Sequence, residues 1–268
     1  MRTRPLPLFT RAIVDGWRSL LGWTLGVLAA LLLYLPLFPS LGGAHSQMGQ
    51  LLKTLPPALV RALNYQDITT GSGYVESTFF GLLGLVLIVI AATSWGSAAL
   101  AGAEENGALE LTLAHATSRQ QVVLERTLAV VVQLVWLALV SILVILALNP
   151  SAGLQLNAAK IVAVAAAWLG LGLLSATIAI AIGALTGRRS FATTAGAAVA
   201  VLGYILNAVG SQNTDLRELK NYSPYGWAFQ HAPLATGADW GGLLLLYGFS
   251  AAFVVIATLA LRSRDISG

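Results

Sequence analysis

Six long runs of apolar residues, none of which contains Asp, Glu, Lys, Arg or His, constrain this chain more than any other feature. Each run is close to the roughly 20 residues that an α-helix needs to cross a bilayer. The runs are continuously apolar rather than alternating, and only helices or closed barrels can satisfy their own backbone in lipid. The sequence therefore predicts six membrane-spanning helices, at about residues 20–38, 78–100, 127–148, 161–185, 191–209 and 240–261.

Composition also indicates a membrane protein and excludes several other classes. Hydrophobic residues make up 57% of the 268 residues and charged residues only 10%, whereas soluble domains carry about 25% charged residues. The chain has no Cys, which excludes disulfides and thiolate metal sites. The net charge of +4 is modest and needs no nucleic-acid partner. We expect one all-α transmembrane domain that covers residues 1–268.

Basic residues predict the orientation of the spans, because cytoplasmic loops carry an excess of Lys and Arg. An even number of spans places both termini on one side of the membrane. Ten of the fifteen Lys and Arg residues fall on that side, so both termini are predicted to be cytoplasmic. These ten are Arg2, Arg4, Arg11, Arg18, Arg119, Arg126, Arg188, Arg189, Arg262 and Arg264.

The segment before the first span, residues 1–19, has an amphipathic pattern. Phe9, Ile13 and Trp17 recur at helical spacing, and Arg11 lies on another face. This pattern predicts an interfacial helix on a basic membrane surface. The alternative is the basic region of a signal peptide, but the apolar run that follows is long enough to span a bilayer.

The chain lacks the residues that several transport mechanisms require. Ion-coupled transporters use charged relays inside the membrane, and charge-selective channels use charged rings, so six uncharged spans argue against both. No G-x-x-x-x-G-K-[ST] loop is present, so ATP, if it drives this protein, must bind a separate subunit. His231 is isolated in the sequence and predicts no metal site. We expect no catalytic residues in this chain.

The connection between the second and third spans, residues 101–127, is the most informative polar segment. It contains four of the eleven acidic residues. Asn106-Gly107 is a turn signal, and Ser118 followed by Gln121 fits a capping box at the start of a helix. The pattern predicts two short helices that protrude on the cytoplasmic side. An ordinary solvated loop is the alternative.

Residues 104–119, Glu-Glu-Asn-Gly-Ala-Leu-Glu-Leu-Thr-Leu-Ala-His-Ala-Thr-Ser-Arg, resemble the first cytoplasmic loop of ABC-2 type transporter permeases, where E-x-G-T-L-E-L-L-L-A-x-P-x-S-R is common. The matching residues are Gly107, Leu109, Glu110, Leu111, Leu113, Ala114, Ser118 and Arg119. The departures are Ala108 for the usual Thr and Ala116 for the usual Pro. Further resemblance lies in Ser223-Pro224-Tyr225, Asp239-Trp240-Gly241-Gly242 and Arg262-Ser263-Arg264-Asp265-Ile266.

This resemblance implies a subunit of an ATP-driven machine. In such permeases the loop between spans 2 and 3 docks as a coupling helix in a groove of the ATPase, and the N-terminal helix forms a second contact. The ATPase-coupling residues would be Glu104, Glu105, Gly107, Leu109, Glu110, Leu111, Leu113 and Arg119. The acidic residues would face basic groups of the partner, and the leucines would supply buried contacts. Two ATPase copies would carry ATP and Mg, so no cofactor is expected in this chain.

The family also implies a second permease copy, forming a homodimer rather than a heterodimer, with spans 2 and 5 lining the route between the copies. The polar candidates for that route are Thr93, Ser94, Ser97, Thr193, Thr194, Tyr204 and Asn207. Each could instead bond across helices or back to its own helix. Small residues in span 5 predict a dimer seam at Ala192, Gly196, Ala200 and Gly203. A re-entrant helical segment is implied at residues 210–239.

The resulting expectation is the permease of an ABC exporter in the bacterial cytoplasmic membrane. Its uncharged spans suit a hydrophobic or amphipathic cargo such as a drug, an antibiotic or a lipid. Two alternatives stay open. One is an ABC permease for an ion or for cofactor assembly, and the other is an ATP-independent scaffold or secondary transporter.

Overall fold

The computed structural model describes residues 6–41, 50, 54–56, 59–60, 67–114, 118–212 and 214–264, and these residues form helices and no strands. The helices are α1 (Pro7–Tyr34), α2 (Gly71–Glu105), α3 (Ala108–Ala114), α4 (Arg119–Leu148), α5 (Ala158–Thr186), α6 (Arg189–Gly210), α7 (Pro224–Phe229), α8 (Pro233–Thr236) and α9 (Trp240–Ser263). Six of them, α1, α2, α4, α5, α6 and α9, are long and apolar enough to cross a membrane. The prediction of six spans is confirmed.

Helix α5 forms the centre of the bundle. It packs against α2, α4, α6 and α9. In its most apolar stretch of 18 residues, 83% of the residues are buried. A helix that is apolar on every side is expected at such a position. Trp168 is fully buried near its middle, with its ring 5.9 Å from the rings of Phe79 and Phe80 on α2.

Helix α1 lies at the edge of the bundle and packs mainly on α4. Only 22% of the residues in its most apolar 18-residue stretch are buried, and Leu21 and Leu25 are exposed. The separate interfacial helix expected at residues 1–19 is not a distinct element over residues 7–19, because α1 is continuous from Pro7 to Tyr34. No helix-breaking residue separates the amphipathic part from the apolar part. Residues 1–5 lie outside the described residues.

Helix α2 is 35 residues long and contains two π-helical segments, Glu76–Leu83 and Ala98–Gly102. The sequence analysis began this span at about residue 78, and the structure extends the helix back to Gly71, so residue 76 lies inside it. Glu76 is buried inside α2, and its Oε2 accepts a hydrogen bond from the backbone N–H of Leu234 at 2.9 Å. This bond joins α2 to α8, at the end of the bundle opposite the α2–α4 connection.

The segment between α6 and α9 folds back onto the bundle, as the family resemblance implies. A 3₁₀ stretch, Thr214–Tyr222, leads into α7, and α7 packs against α5, α6 and α9. Ser223 is fully buried. Its Oγ donates to the carbonyl of Gly203 at 2.6 Å and accepts from the N–H of Gly226 at 2.9 Å. A single hydroxyl therefore caps α7 and attaches it to α6.

Asp239 caps the first turn of α9. Its Oδ1 accepts hydrogen bonds from the N–H groups of Gly241 and Gly242, and its Oδ2 lies 2.7 Å from Nδ1 of His231. Burial raises the pKa of Asp239, but the bond from Gly242, the contact with His231 and the bond from Gly241 outweigh burial and hold the pKa below its usual value. His231 is thus part of a cap, and no group of three or more potential metal ligands occurs among the described residues.

The small residues of α6 face the inside of the subunit. Ala192, Gly196, Ala200 and Gly203 are all buried. A Cβ atom on Gly196 would lie 2.6 Å from the carbonyl oxygen of Ser175 in α5 and 2.8 Å from Cγ2 of Thr93 in α2. The absence of a side chain therefore allows α6 to approach α5 and α2 closely. These four residues were expected at a seam between copies, and the structure instead places them against the same chain.

We predict that Gly196→Val destabilises the protein, because the added side chain meets backbone on α5. Overpacking of this kind costs about 1–3 kcal/mol, and Tm falls by roughly 2–4 °C per kcal/mol for domains of 150–250 residues. The measurement is thermal unfolding of the purified protein in detergent. Thr194→Val, on the exposed face of α6, is the matched control. An unchanged Tm for Gly196→Val would contradict the close contact between α6 and α5.

Candidate functional site at the terminal end of the bundle

Four parts of the chain meet at one end of the bundle, which we call the terminal end. They are the start of α1, the α2–α4 connection, the α5–α6 turn and the end of α9. Hydrogen bonds connect Leu8 to Glu125 and Arg264 to both Glu104 and Ala184. The two ends of the described chain therefore lie on the same side of the bundle, as expected for six spans.

The turn and the helix start in the α2–α4 connection form as predicted, but only one short helix, α3, lies in it, because the helix that begins at Arg119 continues unbroken as the third span. Gly107 adopts a left-handed φ of 72°, which favours glycine. The side chain of Asn106 accepts from the N–H of Ala108 at 3.1 Å, and α3 follows. Ser118 Oγ accepts from the N–H of Gln121 at 3.2 Å, and α4 begins at the next residue. Residues 115–117, which include the departure at Ala116, lie outside the described residues.

Glu104 and Arg264 form an ion pair that closes the terminal end. Arg264 Nη2 contacts Glu104 Oε1, and Nη1 donates to the carbonyl of Ala184 at 3.0 Å. Both charged atoms pack on Gly187, whose left-handed φ of 66° ends α5. Glu104 Oε2 is buried and has no hydrogen-bond partner among the described residues. One arginine of the C-terminal segment therefore joins α2 to the last turn of α5.

Two further contacts complete this group, which we call the clamp: Glu104, Glu105, Arg119, Arg264 and the N–H of Arg189. Glu105 Oε1 accepts from the N–H of Arg189 at 2.8 Å and so caps α6. Arg119 Nη1 donates to the carbonyl of Leu261 at 3.0 Å and to that of Arg264. These carbonyls belong to the last turn of α9, where a cation is favourable. The clamp thus ties both ends of the α2–α4 connection to α6 and α9.

The other predicted coupling residues divide into buried and exposed ones. Leu109 is fully buried, and Leu113 packs partly against the core. Glu110 is exposed, and Leu111 is 68% exposed. The acidic residues expected to face a partner divide in the same way, because Glu104 and Glu105 are already bonded within the chain. An ATPase-coupling role for the whole set stays a prediction.

Glu125 was counted among the acidic residues of the connection, but its role was missed. It is buried in the second turn of α4. Its Oε2 accepts from the N–H groups of Leu8 at 2.7 Å and Phe9 at 3.0 Å, and its Oε1 accepts from Nε2 of Gln121 at 2.6 Å. These bonds satisfy backbone donors in the first turn of α1. The sequence did offer one sign of this cap. Leu6 precedes α1 and has no side-chain acceptor for the free N–H groups of the first turn, so another part of the chain must supply one.

The polar residues expected to line a transport route differ in burial. Thr93 and Ser97 are buried and donate to carbonyls of their own helix. Asn207 is buried too, and Tyr204 packs its ring 5.2 Å from that of Tyr225. The remaining candidates are the half-buried Ser94 and Thr193 and the exposed Thr194. Their role as a route stays a prediction.

Six apolar helices, with α5 buried at their centre, define a multi-pass membrane protein. The chain matches the family described as ABC-2 family transporter protein over residues 8–266, so it belongs to that family. Members of this family act as the permease component of ABC transporters, which work with an ATPase. No curated protein matches the chain.

We predict that Glu125→Leu loosens the start of α1, because two backbone N–H groups lose their acceptor. Hydrogen bonds to charged groups contribute about 1.5–3 kcal/mol. Because about 1.4 kcal/mol corresponds to a factor of ten, amide exchange in this turn should accelerate by at least about ten-fold. Hydrogen–deuterium exchange of the peptide that contains residues 6–20 is the measurement. Glu125→Gln retains an acceptor oxygen and should give an intermediate rate. Equal rates in Glu125→Leu and the wild type would contradict the cap.

The Glu104–Arg264 pair predicts an energetic coupling between α2 and the C-terminal segment. Glu104→Gln and Arg264→Gln should each cost about 1–3 kcal/mol of stability. The double variant should cost less than their sum, with a coupling energy of about 0.5–3 kcal/mol. Denaturation of all four proteins measures the cycle. Arg262→Gln is the control, because Arg262 is an exposed neighbour, and it should leave stability nearly unchanged. If the free-energy losses of Glu104→Gln and Arg264→Gln simply add in the double variant, the ion pair is contradicted.

Proposed function

We propose that this chain is the membrane subunit of an ATP-driven exporter, and that a separate ATPase drives it through the α2–α4 connection. The observation that supports this most is the surface of α3. Leu111 is a large apolar side chain that is 68% exposed, beside the exposed carboxylate of Glu110. An exposed apolar side chain with a charged neighbour is suited to a protein partner.

The clamp supports this proposal because it gives the connection a mechanical link to the bundle. Glu105 is bonded to the start of α6, and Arg119 is bonded to the end of α9. A partner that moves α3 would therefore move two other membrane-crossing helices as well. In this arrangement Glu104 and Glu105 transmit movement within the permease, and Glu110 and Leu111 meet the ATPase.

The exposed face of α6 is our candidate for the contact between two permease copies. Val201, Leu202 and Ile205 are exposed on it, and Thr194 is exposed on the same side of the helix. The opposite face of α6 is already packed against α2 and α5. A homodimer would bring two such faces together, with Thr194 near the route between them. Two permeases and two ATPases would form the complete exporter.

Charge supports a cytoplasmic position for the terminal end and a bacterial cytoplasmic membrane as the location. Eight described arginines lie in or near this end: Arg11, Arg18, Arg119, Arg126, Arg188, Arg189, Arg262 and Arg264. Such an excess of basic residues favours the cytoplasmic side. The residues proposed for the route are uncharged, which suits a hydrophobic or amphipathic cargo such as a drug, an antibiotic or a lipid.

Leu111→Ser tests the docking surface directly. The permease carries an affinity tag and is isolated in detergent from its native membrane, and the ATPase activity retained on it is measured. We expect about ten-fold weaker retention, which corresponds to roughly 1.4 kcal/mol for one buried interface residue. Because Leu111 is exposed, the variant should insert and unfold as the wild type does.

The matched control for this experiment is Leu185→Ser. Leu185 is also an exposed leucine near the terminal end, close to the end of α5, and its replacement should leave retention unchanged. Equal ATPase retention by Leu111→Ser and the wild type would remove α3 as the docking surface. A wild-type permease that retains no ATPase activity would oppose the proposed exporter altogether.

A further inference from the structure

A cavity of about 830 Å³ lies between the first turns of α1 and helices α2, α3 and α4 at the terminal end. The residues that line it from α1 are Pro7, Leu8, Arg11, Ala12, Asp15 and Gly16. Its volume is within the usual range for small-ligand sites, about 300–1,000 Å³. None of the clamp residues Glu104, Glu105, Arg119 and Arg264 lines the cavity, although Leu111 of the proposed docking surface does.

The wall of the cavity opposite α1 is largely apolar, and Trp95, Gln133 and Arg126 line it beside a group of small side chains, which we call the small-residue wall. Ala98, Ala99, Ala129 and Val130 contribute it from α2 and α4. Small residues on two neighbouring helices would normally let a third helix approach, yet α1 stands away from them here. Glu125 bonds the start of α1 at one level, and Trp95 donates to Ser19 about three turns further along at 3.0 Å, so the space lies between these two attachments.

Two arginines face this cavity from opposite sides. Arg11 is on α1, and Arg126 is on α4. Arg126 Nη1 donates to the carbonyl of Ala99 in the second π segment of α2 at 2.7 Å, which fixes the guanidinium in place. A guanidinium has five N–H donors, and this bond uses one nitrogen. The charges of Arg11 and Arg126 are close enough to repel each other, so an anion between them would be stabilised by both.

Asp15 also lines the cavity and offsets the charge of the two arginines only in part. Asp15 lies 3.4 Å from Nε of Arg11, and both side chains are largely exposed. Exposed ion pairs of this kind are worth little. Glu125 is buried, and its oxygens already accept three hydrogen bonds from Leu8, Phe9 and Gln121. The positive charge of Arg126 is therefore not paired with either of these carboxylates, and the cavity favours an anion.

We propose that this cavity binds one anionic phospholipid from the leaflet at the terminal end, with its phosphate between Arg11 and Arg126. Its acyl chains would run along the small-residue wall. Basic pockets between membrane-crossing helices on the cytoplasmic side are typical sites for anionic headgroups. A free anion would gain nothing from the apolar wall, so the observations favour a lipid. The proposal holds whatever the transporter carries.

The first experiment measures lipid affinity in the purified full-length protein. Thermal unfolding is followed while phosphatidylglycerol or phosphatidylcholine is added in mixed micelles. We expect phosphatidylglycerol to raise Tm and phosphatidylcholine to have a much smaller effect. Arg11→Gln should weaken phosphatidylglycerol binding about five-fold, as expected for about 1 kcal/mol per basic residue near a lipid headgroup.

Arg18→Gln is the matched control, because Arg18 is also an exposed arginine on α1 but does not line the cavity. Its affinity for phosphatidylglycerol should equal that of the wild type. An equal loss in Arg11→Gln and Arg18→Gln would overturn the proposal, since it would indicate general attraction to a basic surface. Inorganic phosphate at the same concentration should not raise Tm; equal stabilisation by phosphate would overturn a lipid site.

The second experiment fills the cavity. Ala98→Phe places a large side chain in it, and Ala98 is exposed to this space, so folding should be preserved. Native mass spectrometry should then detect several-fold less bound phosphatidylglycerol. Ala252→Phe, at an exposed position on α9, is the control and should retain the lipid. Unchanged lipid binding in Ala98→Phe would overturn the site, whatever the result of the ATPase experiments.

Discussion

Close packing around α5 is the constraint on which the rest of this structure depends. Lipid is as apolar as leucine, so no hydrophobic force drives helices together inside a bilayer, and association relies on contact between surfaces that fit. Helix α5 meets four other helices, and 83% of its most apolar window is buried. The fit is possible because neighbouring helices present small residues. Gly196 is the clearest case, because any side chain there would meet the backbone of α5.

Polar contacts at the two ends of the bundle fix how far each helix is shifted along its neighbours, which apolar packing alone does not determine. Uniformly apolar helices could slide past one another at little cost, but ion pairs and caps have fixed partners. At the terminal end Arg264 and Arg119 link segments that are far apart in the sequence. At the opposite end Glu76 holds α8. Carboxylates in this protein thus act mainly as fixed acceptors for backbone or guanidinium N–H groups.

Much of this fold could be predicted from the sequence, because helix formation in a membrane depends on local properties. Length and hydropathy placed six spans, and Ser118 with Gln121 located the start of α4. The local sequence does not indicate which other helix a given helix face will contact. The small residues of α6 were recognised as a packing face, but periodicity does not distinguish a second copy from α5. The same applies to Glu104, whose partner lies 160 residues away.

The roles of two carboxylates, Glu76 and Glu125, were missed because each borders an apolar run. Glu76 was excluded from α2 because the uncharged window begins two residues later, although the helix continues through it. Glu125 was grouped with the connection for the same reason, although it lies inside α4. In both cases the carboxylate serves a helix end elsewhere in the chain. A pattern of hydropathy gives no indication of a backbone donor more than 100 residues away.

Helix α2 has a consequence that follows from its length alone. At 35 residues and about 1.5 Å per residue it is roughly 50 Å long, which exceeds the thickness of a bilayer with its headgroups, about 40–45 Å. Its last residue holds the start of α6, and near its first turn Glu76 holds α8. Opposite surfaces of the membrane are therefore joined by a single rod. We therefore expect a displacement at one surface to reach the other through the backbone of this helix, without a relay of side chains between them.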